Sequence, residues 1–241
     1  MPWSCHFIRQ WDTASASRVD SFMANSTYIQ RRIAKTYRRD SVVVHPPVDT
    51  SLFHVSADVE DRWLWVGQMT PYKRADLAVE AFNALGLPLL MVGEGEMADD
   101  VRRRAGPNIT VVPKMSFQDL KKAYARCRGL IFTPEEDFGI VPVEVMASGR
   151  PVLAFGKGGA LDTIEPGITG LFFDEQTVDS LIDGVSRMEA WLHHFSSAVA
   201  VASSRRFAPE RFDARFLRAV AAASVVPPIN TQSHGAERLI A

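Results

Sequence analysis

The sequence predicts an α/β fold, a parallel sheet with helices on both faces. Three observations carry that expectation. Runs such as Leu87–Val92 and Gly129–Phe132 are apolar throughout, the pattern of strands buried on both sides. Helical periods lie between them: Ala75–Leu85 places Leu77, Ala78, Ala81, Phe82 and Leu85 on one stripe. The two kinds of segment alternate along most of the chain, and strands joined by crossover helices run parallel.

Each element follows in order. Met1–Asp12 carries Trp3, Phe7, Ile8 and Trp11 without a clean period and receives no assignment. Such side chains are costly to leave in water, so a covering neighbour is expected. Ala14–Asp20 is weakly helical and Val19–Ala24 reads as a short strand. Asn25-Ser26-Thr27 is a helix cap, Tyr28–Arg38 a helix with a basic outer face, and Ser41–His45 a strand. Pro46-Pro47-Val48-Asp49 breaks the chain. Arg62–Val66 opens the main sheet, with the loop Gly67–Arg74 and the helix Ala75–Leu85 after it. Then come a strand at Leu87–Val92, a helix at Met97–Ala105 and a strand at Ile109–Val112. A helix at Phe117–Cys127 and a strand at Gly129–Phe132 follow. Ile140–Ser148 is a helix with Pro142 in its first turn, where proline is tolerated, and Gly149 at its end. Pro151–Phe155 is a strand, and Gly156-Lys157-Gly158-Gly159 turns into another helix. Leu171–Phe173 is the last strand. Val178–Val201 reads as one nearly continuous helix, Arg205–Ala223 as another interrupted at Pro209, and Val225 onward as a disordered tail.

Composition narrows the function. The 241 residues carry a formal net charge of −1, against a general nucleic-acid binder. Two cysteines, Cys5 and Cys127, make no disulfide framework and suit a reducing compartment. No apolar run approaches the roughly 18 residues of a membrane helix, and the N-terminus does not read as a signal peptide. A cytoplasmic protein is expected. Six histidines are scattered, with only His193-His194 adjacent, so no metal site is predicted.

Three motifs bear on chemistry. Lys73 and Arg74 follow a strand whose carboxyl end should open on the ligand crevice, which places them for a phosphate. The bland alternative is a solvated loop pair. Gly93, Gly95 and Ala98 form a G-x-G-x-x-A turn between strand and helix. The next strand ends at Pro113-Lys114, without the carboxylate that a nicotinamide dehydrogenase needs for its ribose. Glu136 and Glu144 are separated by seven residues that contain Phe138-Gly139 and a helix start. The helix N-terminus favours an anion, whereas an ionised carboxylate accepts only from donors such as hydroxyls. A ligand with both phosphates and hydroxyls is a nucleotide sugar. The other reading is a plain turn flanked by two surface glutamates.

The run Glu136–Glu144, followed by Ala147-Ser148-Gly149-Arg150-Pro151-Val152, resembles the E-x7-E signature of retaining glycosyltransferases of the GT-B fold. The resemblance spans roughly Ser17 to Ala222, and its motifs occur in order. With Pro134–Gly139 and Phe155–Thr163 the chain most resembles mannosyltransferases of bacterial O-antigen and surface-polysaccharide synthesis. The resemblance implies a Rossmann-like donor domain at residues 56–202 and a crossover helix at 203–224, ahead of the tail at 225–241. Residues 1–55 become a remnant of an N-terminal acceptor domain and its linker, most of that domain being absent from the chain. It also implies that Glu136 and Lys73 are catalytic, and that Gly67, Gln68, Lys73, Arg74, Phe138, Gly139, Ile140 and Glu144 hold the donor. Glu144 would take the ribose hydroxyls and Lys73 the diphosphate. Gln68 departs from the family's arginine: either Arg74 substitutes for it or the diphosphate is held less tightly. The implied donor is GDP-mannose, with no cofactor and no metal. The implied acceptor is a glycan or lipid-linked glycan, with peripheral contact at the inner membrane face. A homodimer or a separate N-terminal half would be the protein partner, and the alternative function is an inactive nucleotide-sugar-binding fragment.

Overall fold

The computed structural model describes residues 2–224; the predicted tail at 225–241 lies outside them. The chain opens with helix α1 (Pro2–Ala16). Its Trp3, Phe7, Ile8 and Trp11, left unassigned from sequence, are all exposed on that helix. A small parallel pair follows: β1 (Phe22–Ala24), helix α2 (Thr27–Tyr37) and β2 (Ser41–Val43). Ser26 caps α2, its hydroxyl accepting from the Ile29 N–H at 3.1 Å.

The main sheet is built from β3 (Trp63–Val66), β4 (Leu89–Val92), β5 (Ile109–Val112), β6 (Leu130–Phe132), β7 (Val152–Phe155) and β8 (Gly170–Phe173). All neighbours pair in parallel, in the order β5-β4-β3-β6-β7-β8. Helices α3 (Ala75–Leu85), α4 (Ala98–Arg104), α5 (Phe117–Arg126), α6 (Ile140–Ala147) and α7 (Ala160–Thr163) make the crossovers. Two cores result, because alternate strand residues face opposite sides. Trp63 and Trp65 pack with α3 and α8 (Val178–Trp191) on one face. Leu64, Leu130 and Phe132 pack with α6 and α9 (Ser197–Ser204) on the other. This is the fold class the apolar runs predict. Gly149, at φ 73°, ends α6 as expected.

The continuous helix expected at Val178–Val201 is not present. α8 ends in a single 3-10 turn at Leu192–His194, Phe195 is extended, and α9 begins at Ser197. The reason is topological. α8 packs against α3 and α9 against α6, on opposite faces of the sheet, and one straight helix cannot cover both. Phe195 marks the crossing, with its ring 5.7 Å from that of Trp191. A 3-10 turn at Arg205–Phe207 then leads to α10 (Pro209–Ser224), whose first residue is the proline that interrupts the run.

Candidate functional site

Strand order reverses between β3 and β6, which pair through Leu64 and Leu130. Their crossovers leave in opposite directions, so a crevice opens beyond their carboxyl ends. Two adjoining cavities occupy it and share Val66 and Gly67. One, about 330 Å³, is lined by Lys73, Phe132 and Glu136–Val141, with Asn25 and Pro46 from the amino-terminal unit. The other, about 600 Å³, is lined by Gln68, Gly93-Glu94-Gly95, Lys114, Met115, Phe117 and Leu120.

Lys73 and Glu136 meet in the smaller cavity as a half-buried ion pair. Thr133, buried at the end of β6, fixes the lysine's loop. Its hydroxyl accepts from the Trp65 indole at 2.9 Å and donates to the Lys73 carbonyl at 2.7 Å. The Gln176 amide donates to the Thr133 carbonyl at 2.8 Å. The carboxylate's loop is held by main chain. The Gly159 N–H donates to the Glu136 carbonyl at 2.7 Å. A Cβ on Gly159 would lie 2.3 Å from the Phe138 Cα, and one on Gly158 would lie 2.4 Å from the Glu136 carbonyl oxygen. The G-x-G-x-x-A turn works the same way. A Cβ on Gly93 would sit 1.9 Å from the Gly67 oxygen, and one on Gly95 2.6 Å from the Met69 oxygen. These glycines let loop backbones touch.

The amino-terminal unit closes the crevice from the side. Tyr28 donates to Glu135 at 2.7 Å and Arg32 pairs with Asp137 at 3.2 Å. Asp162 accepts from the Thr27 N–H at 2.6 Å, from the Thr27 hydroxyl, and from His45 Nε2 at 3.1 Å. Burial would raise the Asp162 carboxyl, but the bonds from His45 and Thr27 outweigh it and hold the pKa below the ordinary range. Arg215 donates to His45 Nδ1 at 3.2 Å, which leaves Nε2 as the donor to Asp162. The His45 ring stacks on Phe138 with centroids 5.6 Å apart.

The remaining residues named from sequence divide. Gly67, Gln68, Phe138, Gly139 and Ile140 line the cavities. Arg74 lines neither: its guanidinium bonds Asp76 at 3.1 Å and the Gln176 carbonyl at 3.3 Å. Glu144, on the second turn of α6, also lines neither and accepts from the Tyr124 hydroxyl at 3.0 Å. Burial pushes its carboxyl above the ordinary range, and the Tyr124 bond offsets only part of that. Thr133, His45, Asp162 and Tyr124 escaped sequence reasoning. Asp162 lies within the Phe155–Thr163 motif and His45 directly precedes the Pro46-Pro47 break, the only sequence signals for them. Among the described residues no cluster of three His, Cys, Asp or Glu side chains suits a metal ion. No helix among them is long and apolar enough to cross a membrane.

This sheet order, helices on both faces and a crevice at the reversal define the class: the α/β fold of GT-B glycosyltransferase structures. Sucrose-phosphate synthase from Thermosynechococcus elongatus matches with a TM-score of 0.76 at 22% identity, over 90% of this chain and 62% of that one. The Anabaena protein HepE, solved with UDP and glucose, matches with a TM-score of 0.75 at 18% identity, over 89% and 66%. Residues 60–190, more than half of the chain, match the family model of Glycosyl transferases group 1, and the chain belongs to that family. A glycosyltransferase of Methanocaldococcus jannaschii is 23% identical over 172 residues, covering 69% of this chain and 49% of its own. The D-inositol 3-phosphate glycosyltransferase of Mycobacterium tuberculosis is 27% identical over 199 residues, covering 70% and 41%. The chain thus spans less than half the length of these two relatives.

Proposed function

We propose that the chain binds a nucleoside diphosphate sugar across the two cavities and serves glycosyl transfer with retention. The observation that carries this reading is the Lys73–Glu136 pair beside the Val66-Gly67 junction of the two cavities. The base enters the larger cavity, between Met115, Phe117 and Leu120. The sugar and diphosphate enter the smaller one, where Lys73 meets the charge that develops on the leaving phosphate. The N-terminus of α6, opened by Gly139, adds its dipole. Glu136 faces the sugar hydroxyls; the family resemblance assigns the ribose to Glu144, which lines neither cavity and would have to exchange its bond from Tyr124 for the ribose hydroxyls. Arg74 is already committed to Asp76, so the diphosphate rests on Lys73 and main-chain N–H groups.

Subfamily resemblance makes mannose, from GDP-mannose, the transferred sugar. It makes a surface glycan or lipid-linked glycan the acceptor, met at the cytoplasmic membrane face. HepE has also been solved with UDP-glucose, so uridine nucleotides are the natural comparison. Calorimetry with GDP, GDP-mannose, UDP and UDP-glucose in EDTA tests the reading. A ligand at a hundred times its dissociation constant would also stabilise the fold by about 2.7 kcal/mol. Binding of none of them, or binding only with added magnesium or manganese, overturns it. Tighter binding of the uridine compounds replaces GDP-mannose alone. A radiolabelled-donor assay with membrane extract separates an enzyme from a donor-binding fragment: transfer abolished by Glu136→Ala marks the enzyme.

A further inference from the structure

A second concave site lies away from the crevice. Thr50, Ser51 and Phe53, the carboxyl end of α6, α9 and α10 surround a cavity of about 1060 Å³ that shares no lining residue with the other two. Arg205, Arg206, Arg211 and Arg215 all line it, and Glu210 is the one carboxylate on its wall. The chain as a whole is nearly neutral, so this concentration is local.

Few of these charges are answered by the protein. Neither Arg205 nor Arg211 has a side-chain hydrogen bond or ion pair within the described residues. Arg206 pairs with Glu165 at 3.2 Å and donates to the Thr163 carbonyl at 2.7 Å, yet its Nε is buried with no partner. Burial lowers the Arg206 pKa; the Glu165 and Asp162 carboxylates oppose that, and the neighbouring Arg215 charge adds to it. Arg215 bonds the His45 Nδ1 and no carboxylate. Guanidinium groups crowded on one wall repel, and a bound oxyanion offsets that cost. Their planar forks match phosphate oxygens two at a time. Phe53 and Ala208 give the same wall an apolar part against which a carbon skeleton packs.

We propose that this arginine-lined cavity is a binding site for a phosphate-bearing ligand, separate from the crevice that carries Lys73 and Glu136. The phosphate of a soluble metabolite and that of a lipid headgroup present the same oxyanion. The test titrates pyrophosphate, which has neither base nor sugar, into the full 241-residue chain by calorimetry. The parent, Arg205→Gln/Arg211→Gln and Lys73→Met are compared. The expected result is a binding event weakened roughly tenfold or more in the double variant and retained in Lys73→Met. The unfolding midpoint of the double variant should equal or exceed the parent's, since neither arginine has a partner to lose and two like charges leave the wall. Flotation with vesicles of equal parts phosphatidylcholine and phosphatidylglycerol separates the sources. Capture that needs both arginines and is displaced by pyrophosphate identifies a headgroup; pyrophosphate binding without capture identifies a soluble phosphate. The proposal is overturned if the parent binds neither probe, if the double variant binds both as the parent does, or if Lys73→Met alone abolishes binding.

Discussion

Gly159→Ala tests whether the crevice depends on its main-chain frame. The added Cβ would lie 2.3 Å from the Phe138 Cα and 2.5 Å from the Asp137 oxygen, both backbone atoms that no rotamer change can move. Ordinary contact begins near 3.4 Å, so the two loops must part by roughly 1 Å. That movement strains the bond from the Gly159 N–H to the Glu136 carbonyl and carries the carboxylate away from Lys73. Overpacking of this kind costs about 1–3 kcal/mol, and a chain of this size loses about 2–4 °C in Tm for each. A misplacement of ~1 Å weakens a positioned site by up to about a hundredfold. Gly167→Ala is the control. Gly159 has an ordinary φ of −70°, so only contact opposes its Cβ; Gly167 has a positive φ, 75°, with open space around it, so only backbone strain does, and it lies before β8 at the opposite end of the sheet from the crevice. Differential scanning fluorimetry and nucleotide calorimetry on both variants decide the matter. Both should lose stability; only Gly159→Ala should lose nucleotide affinity. Equal affinity in Gly159→Ala and the parent would show that the frame does not position the site.

Three further variants test particular side chains. Glu144→Gln should weaken nucleotide binding by about 1–3 kcal/mol in calorimetry, because a carboxylate's charge-assisted bonds become neutral ones. The same change should gain stability relative to the parent as pH rises. The Glu144 pKa is raised in the folded state, so its contribution is fully present below the ordinary carboxylate value and is lost as pH climbs through the folded one. Midpoints compared from about pH 4 to about pH 7 check the sign, and a variant-minus-parent difference that falls over that range would refute it. Thr133→Val leaves the buried Trp65 indole without its acceptor and should cost about 1–3 kcal/mol in denaturant unfolding, with nucleotide affinity falling as the Lys73 loop loosens. Replacing Trp3, Phe7 and Trp11 by serine should abolish any concentration-dependent association in sedimentation velocity while leaving Tm within about 2 °C, since all three are exposed.

The sheet was legible wherever a strand is buried on both faces, because nothing but apolar residues survives there. Trp63–Val66, Val152–Phe155 and the α3 helix fall within a residue of where their patterns place them. α1 was not legible: its aromatic residues do not face the core, so no core-facing stripe announces the helix. The α8–α9 break was hidden because apolar residues continue through it; only the need to change faces of the sheet ends the helix. In the crevice, Lys73 and Glu136 are each readable from local motifs, but their contact spans 63 positions and belongs to the fold. Asp162 is further out of reach, joined to Thr27 across 135 positions and to His45 across 117. Arg74 shows the reverse case. It looks free for a phosphate, yet a carboxylate two residues away takes it.

The touching loops around the crevice also divide the chain's tolerance to change. Gly93, Gly95, Gly158 and Gly159 hold the walls through main-chain atoms, and almost any other residue there would force them apart. Gln68, Lys114 and Phe117 line the larger cavity with their side chains rather than joining loop to loop through main chain. Drift at those three positions can alter what the larger cavity accepts while the architecture persists. Lineages that diverge in ligand choice should therefore differ first at the cavity-facing side chains and last at the four glycines.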